Sequence, residues 1–133
     1  MSEQHDQHAL AEGRAFPWHE CNVPDVQKAI DFYTNALGMT AQSMSIGDMP
    51  EYHMLCVGGT PVCGVMSTSM MPPGVPPHWA TYLGVDDVDA CIEKVKAHGG
   101  TVVVEAMDVP TVGRMALIAD NQGAHLWLFR SAS

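Results

Sequence analysis

Three short runs of this chain place polar or aromatic side chains at every second residue, and these runs carry the groups most able to do chemistry. Residues two apart in a strand lie on the same face, so Glu20 and Asn22 share a face with Trp18. A carboxylate near an imidazole can move protons, and aromatic rings can hold a flat, partly apolar molecule. The candidate site residues are Trp18, Glu20, Asn22, His78, Tyr82, His125 and Trp127.

Each titratable candidate also has a purely structural interpretation. An unpaired carboxylate in an apolar strand is costly, so Glu20 either serves chemistry or is satisfied by a neighbour. His125 is consistent with a core histidine, and His78 with the first residue of a strand. The neighbours that could satisfy Glu20 are His78, Tyr82, Arg114 and His125. Both interpretations stay open, with Glu20 and His125 as the catalytic candidates.

The elements that carry these residues are predicted by an internal repeat. Residues 22–40 align with residues 84–102, a shift of 62 that matches Asp25 with Asp87 and Gly38 with Gly100. The aspartates can cap helices over 26–37 and 88–98, and Gly38 and the Gly99–Gly100 pair can end them. Apolar residues at helical spacing predict the buried sides; they are Val26, Ala29, Ile30, Tyr33 and Leu37 in the first helix, and Val88, Cys91, Ile92 and Val95 in the second.

Strand-like runs surround each predicted helix. One run precedes the helix and three follow it, so each copy is predicted to be a βαβββ module. A proline-rich segment joins the copies and cannot be helical. We therefore expect a first module at 15–69, a linker at 70–77 and a second module at 78–130, all in a single domain at 15–133. Residues 1–14 are polar and are expected to form a mobile arm.

Composition limits the classes of partner. The chain has 133 residues, 47% of them hydrophobic, which suffices for one core. Its formal charge of -9 disfavours nucleic acid and anionic membranes as partners. A membrane span and a signal peptide are not predicted, so we expect a cytoplasmic protein. The scattered cysteines are expected to be buried thiols; they are Cys21, Cys56, Cys63 and Cys91.

The paired modules, the string VPDVQKAIDFYTNALGM and the closing pattern GRMALIADNQGAHLWLF resemble the vicinal oxygen chelate superfamily, which includes glyoxalase I, extradiol dioxygenases, fosfomycin-resistance enzymes and bleomycin-binding proteins. The resemblance implies an α+β fold in which two βαβββ modules, related by a pseudo-two-fold axis, form a cup-shaped, barrel-like mixed sheet. It also implies a homodimer. GVPPHWATYLGVDDVDA with VPTVGRMALIADNQGA further resembles a glyoxalase-like bacterial subgroup.

The resemblance also locates the positions at which metal-dependent members place their ligands. These positions fall on Trp18, Ala80, Trp127 and approximately Val65, or Gly64 after a shift of one residue. None of these side chains is a metal ligand. We therefore expect the family metal site to be absent and no cofactor to be required.

Three functional hypotheses follow as expectations. The first is a protein that binds a small, partly apolar or aromatic molecule in the cup, stacked on Trp18 or Trp127 with Asn22, His78 and Tyr82 lining the site. The alternative is an enzyme of lyase, isomerase or dioxygenase-like type, with Glu20 as base and His78 or His125 as acid, or with these three residues holding a displaced metal. A purely structural or partner-binding subunit is the third hypothesis.

Overall fold

The computed structural model describes residues 16–45 and 51–132, and the predicted arm at residues 1–14 lies outside them. The described chain is α+β, as predicted. Its helices are α1 (Val26–Leu37) and α2 (Val88–Ala97). Its strands are β1 (Trp18–Val23), β2 (Thr40–Met44), β3 (Tyr52–Val57), β4 (Thr60–Ser67), β5 (His78–Gly84), β6 (Thr101–Val109), β7 (Gly113–Ala119) and β8 (His125–Ser131). The chain divides into two compact units, called here the first unit (Trp18–Ala80) and the second unit (from Thr81).

The first unit is a four-stranded sheet with a helix on one face. Its strand order is β2-β3-β4-β1, in which β1 and β4 are parallel and the other neighbours are antiparallel. Helix α1 packs on this sheet through a core of Ile30, Leu55, Cys63 and Val65. Leu37 was predicted to join this core, but it is the last residue of the helix and is 65% exposed.

The second unit repeats the same order of elements. Its strand order is β5-β8-β7-β6, with β5 and β8 parallel. The core under α2 contains Val88, Ile92, Ala116, Ile118 and Leu128. Cys91 and Val95 pack against it, so the predicted apolar side of the second helix is confirmed.

Both helices begin where the sequence predicts. The carboxylates of Asp25 and Asp87 accept hydrogen bonds of 3.0 Å from the backbone N–H groups of Lys28 and Ala90. Because the first N–H groups of a helix have no partner within it, such caps fix the helix start.

Glycines follow both helices as predicted, but the residue that shares the left-handed conformation of Gly38 is Gly99 rather than Gly100. Gly38 ends α1 in the left-handed region at φ 71°, whereas after α2 it is Gly99 that adopts a positive φ of 91°. Gly100 is required for another reason: a Cβ there would lie 2.6 Å from Val95 Cγ1 and 2.8 Å from the carbonyl oxygen of Ala119.

The cysteines are free thiols, as the sequence predicts. All four cysteines lie in the described ranges and none forms a disulfide; Cys21, Cys56 and Cys63 are buried, and Cys91 is half-buried. Among the described helices, neither is long and apolar enough to cross a membrane.

We predict that Gly100→Ala lowers the free energy of unfolding by about 1–3 kcal/mol, because the new methyl group overlaps backbone and core atoms. Gly38→Ala is the contrast: nothing lies within 4 Å of its Cβ position, so only the left-handed backbone opposes the change. Urea denaturation measures both. An unchanged midpoint for Gly100→Ala would contradict the steric explanation.

Candidate functional site

Strand β1 presents different chemistry on its two faces. Val23 packs in the α1 core, and Cys21 is buried near Tyr33 of that helix. By strand alternation, Glu20 and Asn22 point to the opposite face of the first unit's sheet, as predicted. We call this face, opposite α1, the site face.

A hydrogen-bond chain crosses the site face. Trp18 Nε1 donates to the Tyr52 hydroxyl at 2.8 Å, and that hydroxyl donates to Glu20 Oε2 at 2.7 Å. Trp18 and Tyr52 are half-buried, whereas Glu20 is 9% exposed. These two hydrogen bonds therefore lead from the surface to a buried carboxylate. Tyr52 is one group that donates a hydrogen bond to Glu20.

Gly64 makes this contact possible. It is the register partner of Glu20 on the neighbouring strand β4. A Cβ at Gly64 would lie 1.7 Å from the Tyr52 hydroxyl and 2.4 Å from the ring carbon that bears it. The tyrosine therefore lies across the glycine, and any side chain at position 64 would displace it.

The environment keeps Tyr52 in its neutral form. Burial, followed by the nearby negative charge of Glu20, raises the pKa of Tyr52 well above its ordinary value. The phenol therefore remains a donor throughout the physiological pH range. Its O–H stabilises the carboxylate, and the bond from Trp18 orients it.

Asn22 is the other polar group buried on this face. It is 0% exposed, and its Nδ2 makes a long contact of 3.5 Å with the backbone oxygen of Glu20. No partner for its Oδ1 is found among the residues that the structure describes. Since buried polar groups are nearly always paired, this acceptor is unusual.

Flexible apolar side chains surround the polar groups. Met54 pairs with Gly64, Met66 with Asn22, and Met44 with Tyr52 in the strand register. They therefore lie on the site face as well. Methionine adapts its shape to its neighbours, so this surface is apolar and deformable around a fixed carboxylate.

On the opposite face of the same sheet, Tyr33 of α1 lies near a second tryptophan and near a cysteine. Its ring meets the Trp79 ring edge-on at 5.6 Å, and its hydroxyl lies close enough to Cys21 to affect the pKa of that thiol. Burial raises the pKa of Cys21, so the group near Tyr33 is a neutral thiol, whereas the group bonded to Tyr52 is the carboxylate of Glu20.

The second unit holds the other predicted ring residues. Tyr82 and Trp127 stack at 5.3 Å with an interplanar angle of 15°, and Phe129 meets Tyr82 edge-on at 6.2 Å. Tyr82 is 6% exposed and Trp127 7%. These rings stabilise one another by packing, and their predicted contact with a ligand stays a prediction.

The two predicted histidines bind their own chain neighbours. Nδ1 of His78 lies 2.8 Å from the Pro76 oxygen, and Nδ1 of His125 lies 3.0 Å from the Gly123 oxygen. His125 is exposed rather than in the core. Arg114, considered as a partner for Glu20, instead forms bonds of 2.9 Å with Asp89.

The strand register corrects one of the predicted ligand positions. Gly64 pairs with Glu20 on parallel strands, as Trp127 pairs with Tyr82. Glu20 and Tyr82 are equivalent in the repeat, so Gly64 is the counterpart of Trp127. Val65 is not, since it lies in the α1 core.

The groups at these four positions do not fit a metal ion. The Trp18 N–H is used by Tyr52, Gly64 has no side chain, Ala80 has no donor, and Trp127 is stacked in the second unit. Within residues 16–45 and 51–132, no group of three His, Cys, Asp or Glu side chains is placed to hold a metal.

Sequence reasoning missed Tyr52, and it named Gly64 only as an alternative metal-ligand position. Tyr52 begins β3, 32 residues after Glu20, so no local pattern connects them. The available signal was a glycine inside a predicted strand, which often marks a close approach of another group.

Comparisons with known proteins identify relatives of this chain. The pattern of the Glyoxalase/Bleomycin resistance protein/Dioxygenase superfamily matches residues 15–128. The Mycobacterium bovis protein named "Putative glyoxylase CFP32" is 42% identical over 107 residues, which are 80% of this chain and 40% of that protein. The Streptomyces peucetius "Anthracycline biosynthesis protein DnrV" is 33% identical over 125 residues, 85% of this chain and 46% of that protein. The chain thus spans less than half the length of these relatives.

Solved structures share the fold. Methylmalonyl-CoA epimerase from Mycobacterium tuberculosis has a TM-score of 0.63 at 22% identity, covering 90% of this chain and 89% of its own. The hypothetical protein BH1468 from Bacillus halodurans has a TM-score of 0.61 at 16% identity, covering 87% and 93%. At these identities the likeness concerns the fold alone.

We predict that Tyr52 makes stability depend on pH in alkaline solution. Its pKa is raised on folding, so its contribution is complete below the unfolded value of about 10 and is lost as pH rises above that value. The free energy of unfolding should therefore fall more steeply above about pH 10 in the native chain than in Tyr52→Phe. Equal slopes in denaturant titrations across this range would show that Tyr52 is not held as described.

Proposed function

We propose that this chain, which belongs to the glyoxalase/bleomycin resistance protein/dioxygenase superfamily, binds a small, partly apolar or aromatic molecule on the site face. We propose further that this binding does not require the metal ion that metal-dependent members of the superfamily use. The observation that carries the proposal is the Trp18–Tyr52–Glu20 hydrogen-bond chain.

The series of hydrogen bonds supports binding without a metal because it involves two of the four positions at which a metal ligand would be expected. Trp18 is one of them, and the phenol of Tyr52 lies over the other, Gly64. A metal at these two positions would need the indole and the phenol to leave, and neither Trp18 nor Gly64 supplies a ligating atom of its own.

The surface chemistry supports a small organic ligand. A half-buried indole and three methionines provide apolar contact, while Glu20 and Asn22 provide fixed polar groups. Small-molecule sites have this composition: mostly apolar surface with a few placed hydrogen-bonding groups. The names of the two curated relatives also refer to small-molecule chemistry.

The second candidate is an enzyme of lyase, isomerase or dioxygenase-like type. A carboxylate that is 9% exposed and bonded to a phenol favours it, since buried, hydrogen-bonded acids are common in catalytic sites. In this reaction Glu20 would take a proton from the substrate, and His78, which lies in the same unit, would supply one.

We predict that aromatic compounds found in a thermal-shift screen bind the full chain equally well with and without a chelator. Glu20→Gln should weaken binding by about tenfold to a hundredfold, because a hydrogen bond to a charged group is lost. Calorimetry measures the affinity. Glu51→Gln is the matched control, since it removes an exposed carboxylate from the same unit.

The same variants separate the two candidates. For an enzyme, Glu20→Gln would reduce turnover far more than affinity; for a binding protein it would reduce affinity alone. Binding that disappears with chelator, or that Glu20→Gln leaves unchanged, would contradict the first proposal.

We also propose that the chain forms a homodimer. The first unit exposes large apolar side chains, among them Phe32 at 59% and Trp79 at 51%, and exposed apolar patches favour association. Light scattering should give twice the chain mass over a wide concentration range. A monomer throughout that range would refute the dimer.

A further inference from the structure

We infer that the site face recognises its ligand through hydrogen-bond donors of the ligand, so that the ligand is a hydroxyl- or amine-bearing aromatic rather than an anion or a carbonyl compound. This inference rests on the proposed binding function and specifies the chemical class of the ligand.

The donors of the hydrogen-bond chain are already used within the protein. The Trp18 N–H is directed at Tyr52, and the Tyr52 O–H is directed at Glu20. Because each group has a single hydrogen to donate, neither can donate to a ligand without losing its present hydrogen bond. The series of hydrogen bonds therefore ends in an acceptor, the carboxylate of Glu20.

A second acceptor lies two residues along the same strand. The Oδ1 of Asn22 has no partner among the described residues, although the side chain is 0% exposed. An unmet acceptor in this position weakens the fold, so its presence in a strand otherwise built for packing indicates a use. A ligand donor that reached it would remove this cost.

The separation of Glu20 and Asn22 along the strand, and the methionine beside Asn22, suggest how one ligand can bond with both acceptors. The Cα atoms of residues two apart on a strand are separated by roughly 7 Å, which is comparable to the length of a fused two-ring aromatic. Met66 is the register partner of Asn22 on β4. Its flexible side chain can move aside at little cost, which would open access to the amide.

The charge of this region opposes anionic ligands. The strands of the first unit's sheet contain no Lys or Arg, and the chain as a whole has a formal charge of -9. A carboxylate or phosphate brought to the site face would meet the buried negative charge of Glu20 in a region of low dielectric. Neutral or cationic donors are therefore favoured.

Three probes with one aromatic body test the inference on the full chain: a naphthalenediol, its dimethyl ether and the dicarboxylate with the same ring positions. By calorimetry, we expect the diol to bind about tenfold to a hundredfold more tightly than the ether, because only the diol can donate to the acceptors. The dicarboxylate should bind most weakly.

Variants assign the preference to named residues. Glu20→Gln and Asn22→Leu should each reduce the preference for the diol over the ether. Asn22→Leu should keep or raise the free energy of unfolding, because it removes an unpaired buried amide. Tyr33→Phe is the matched control, since it removes a phenol hydroxyl from the helix side of the same sheet.

The outcomes distinguish this inference from the proposed function. Equal binding of diol and ether, tightest binding of the dicarboxylate, or a preference unchanged in both Glu20→Gln and Asn22→Leu would overturn the inference while leaving small-molecule binding intact. Failure of all three probes and of the wider aromatic screen to bind would overturn both.

Discussion

A buried carboxylate must be stabilised by donors, and here one donor reaches it through the space above a glycine. Gly64 allows Tyr52 to lie flat across β4 and to bond with Glu20 on β1. Two other features of the site face lie beside this contact: the indole of Trp18 donates to the phenol, and three methionines lie on the same face of the sheet. The contact also explains why a strand that otherwise belongs to a core can carry an acid.

Much of the fold could be predicted because its signals are local. Asp25 and Asp87 act through backbone groups three residues away, and the alternation of β1 correctly placed Glu20 and Asn22 on one face with Trp18. Other features depend on distant parts of the chain. Tyr52 meets Glu20 only after three strands have paired, and Gly100 is explained by atoms of Val95 and Ala119 rather than by its own backbone. Sequence periodicity contains no information about such contacts.

The two repeats have kept one architecture and diverged in chemistry. At equivalent register positions the first unit has Glu20 beside Gly64, and the second has Tyr82 beside Trp127. A carboxylate beside an empty position leaves room for a third group, whereas two stacked rings fill the space themselves. The first unit therefore holds the polar groups, and the second obtains packing energy from the same positions.

The three tryptophans are in three different environments, and this gives the molecule built-in optical labels. Trp18 is hydrogen-bonded to a phenol, Trp79 is 51% exposed, and Trp127 is 7% exposed and stacked on Tyr82. Indole emission depends on contact with water and with neighbouring rings, so the three side chains should emit differently. The first two lie in one unit and the third in the other, so intrinsic fluorescence can reveal whether the halves of this duplicated chain unfold together or one before the other.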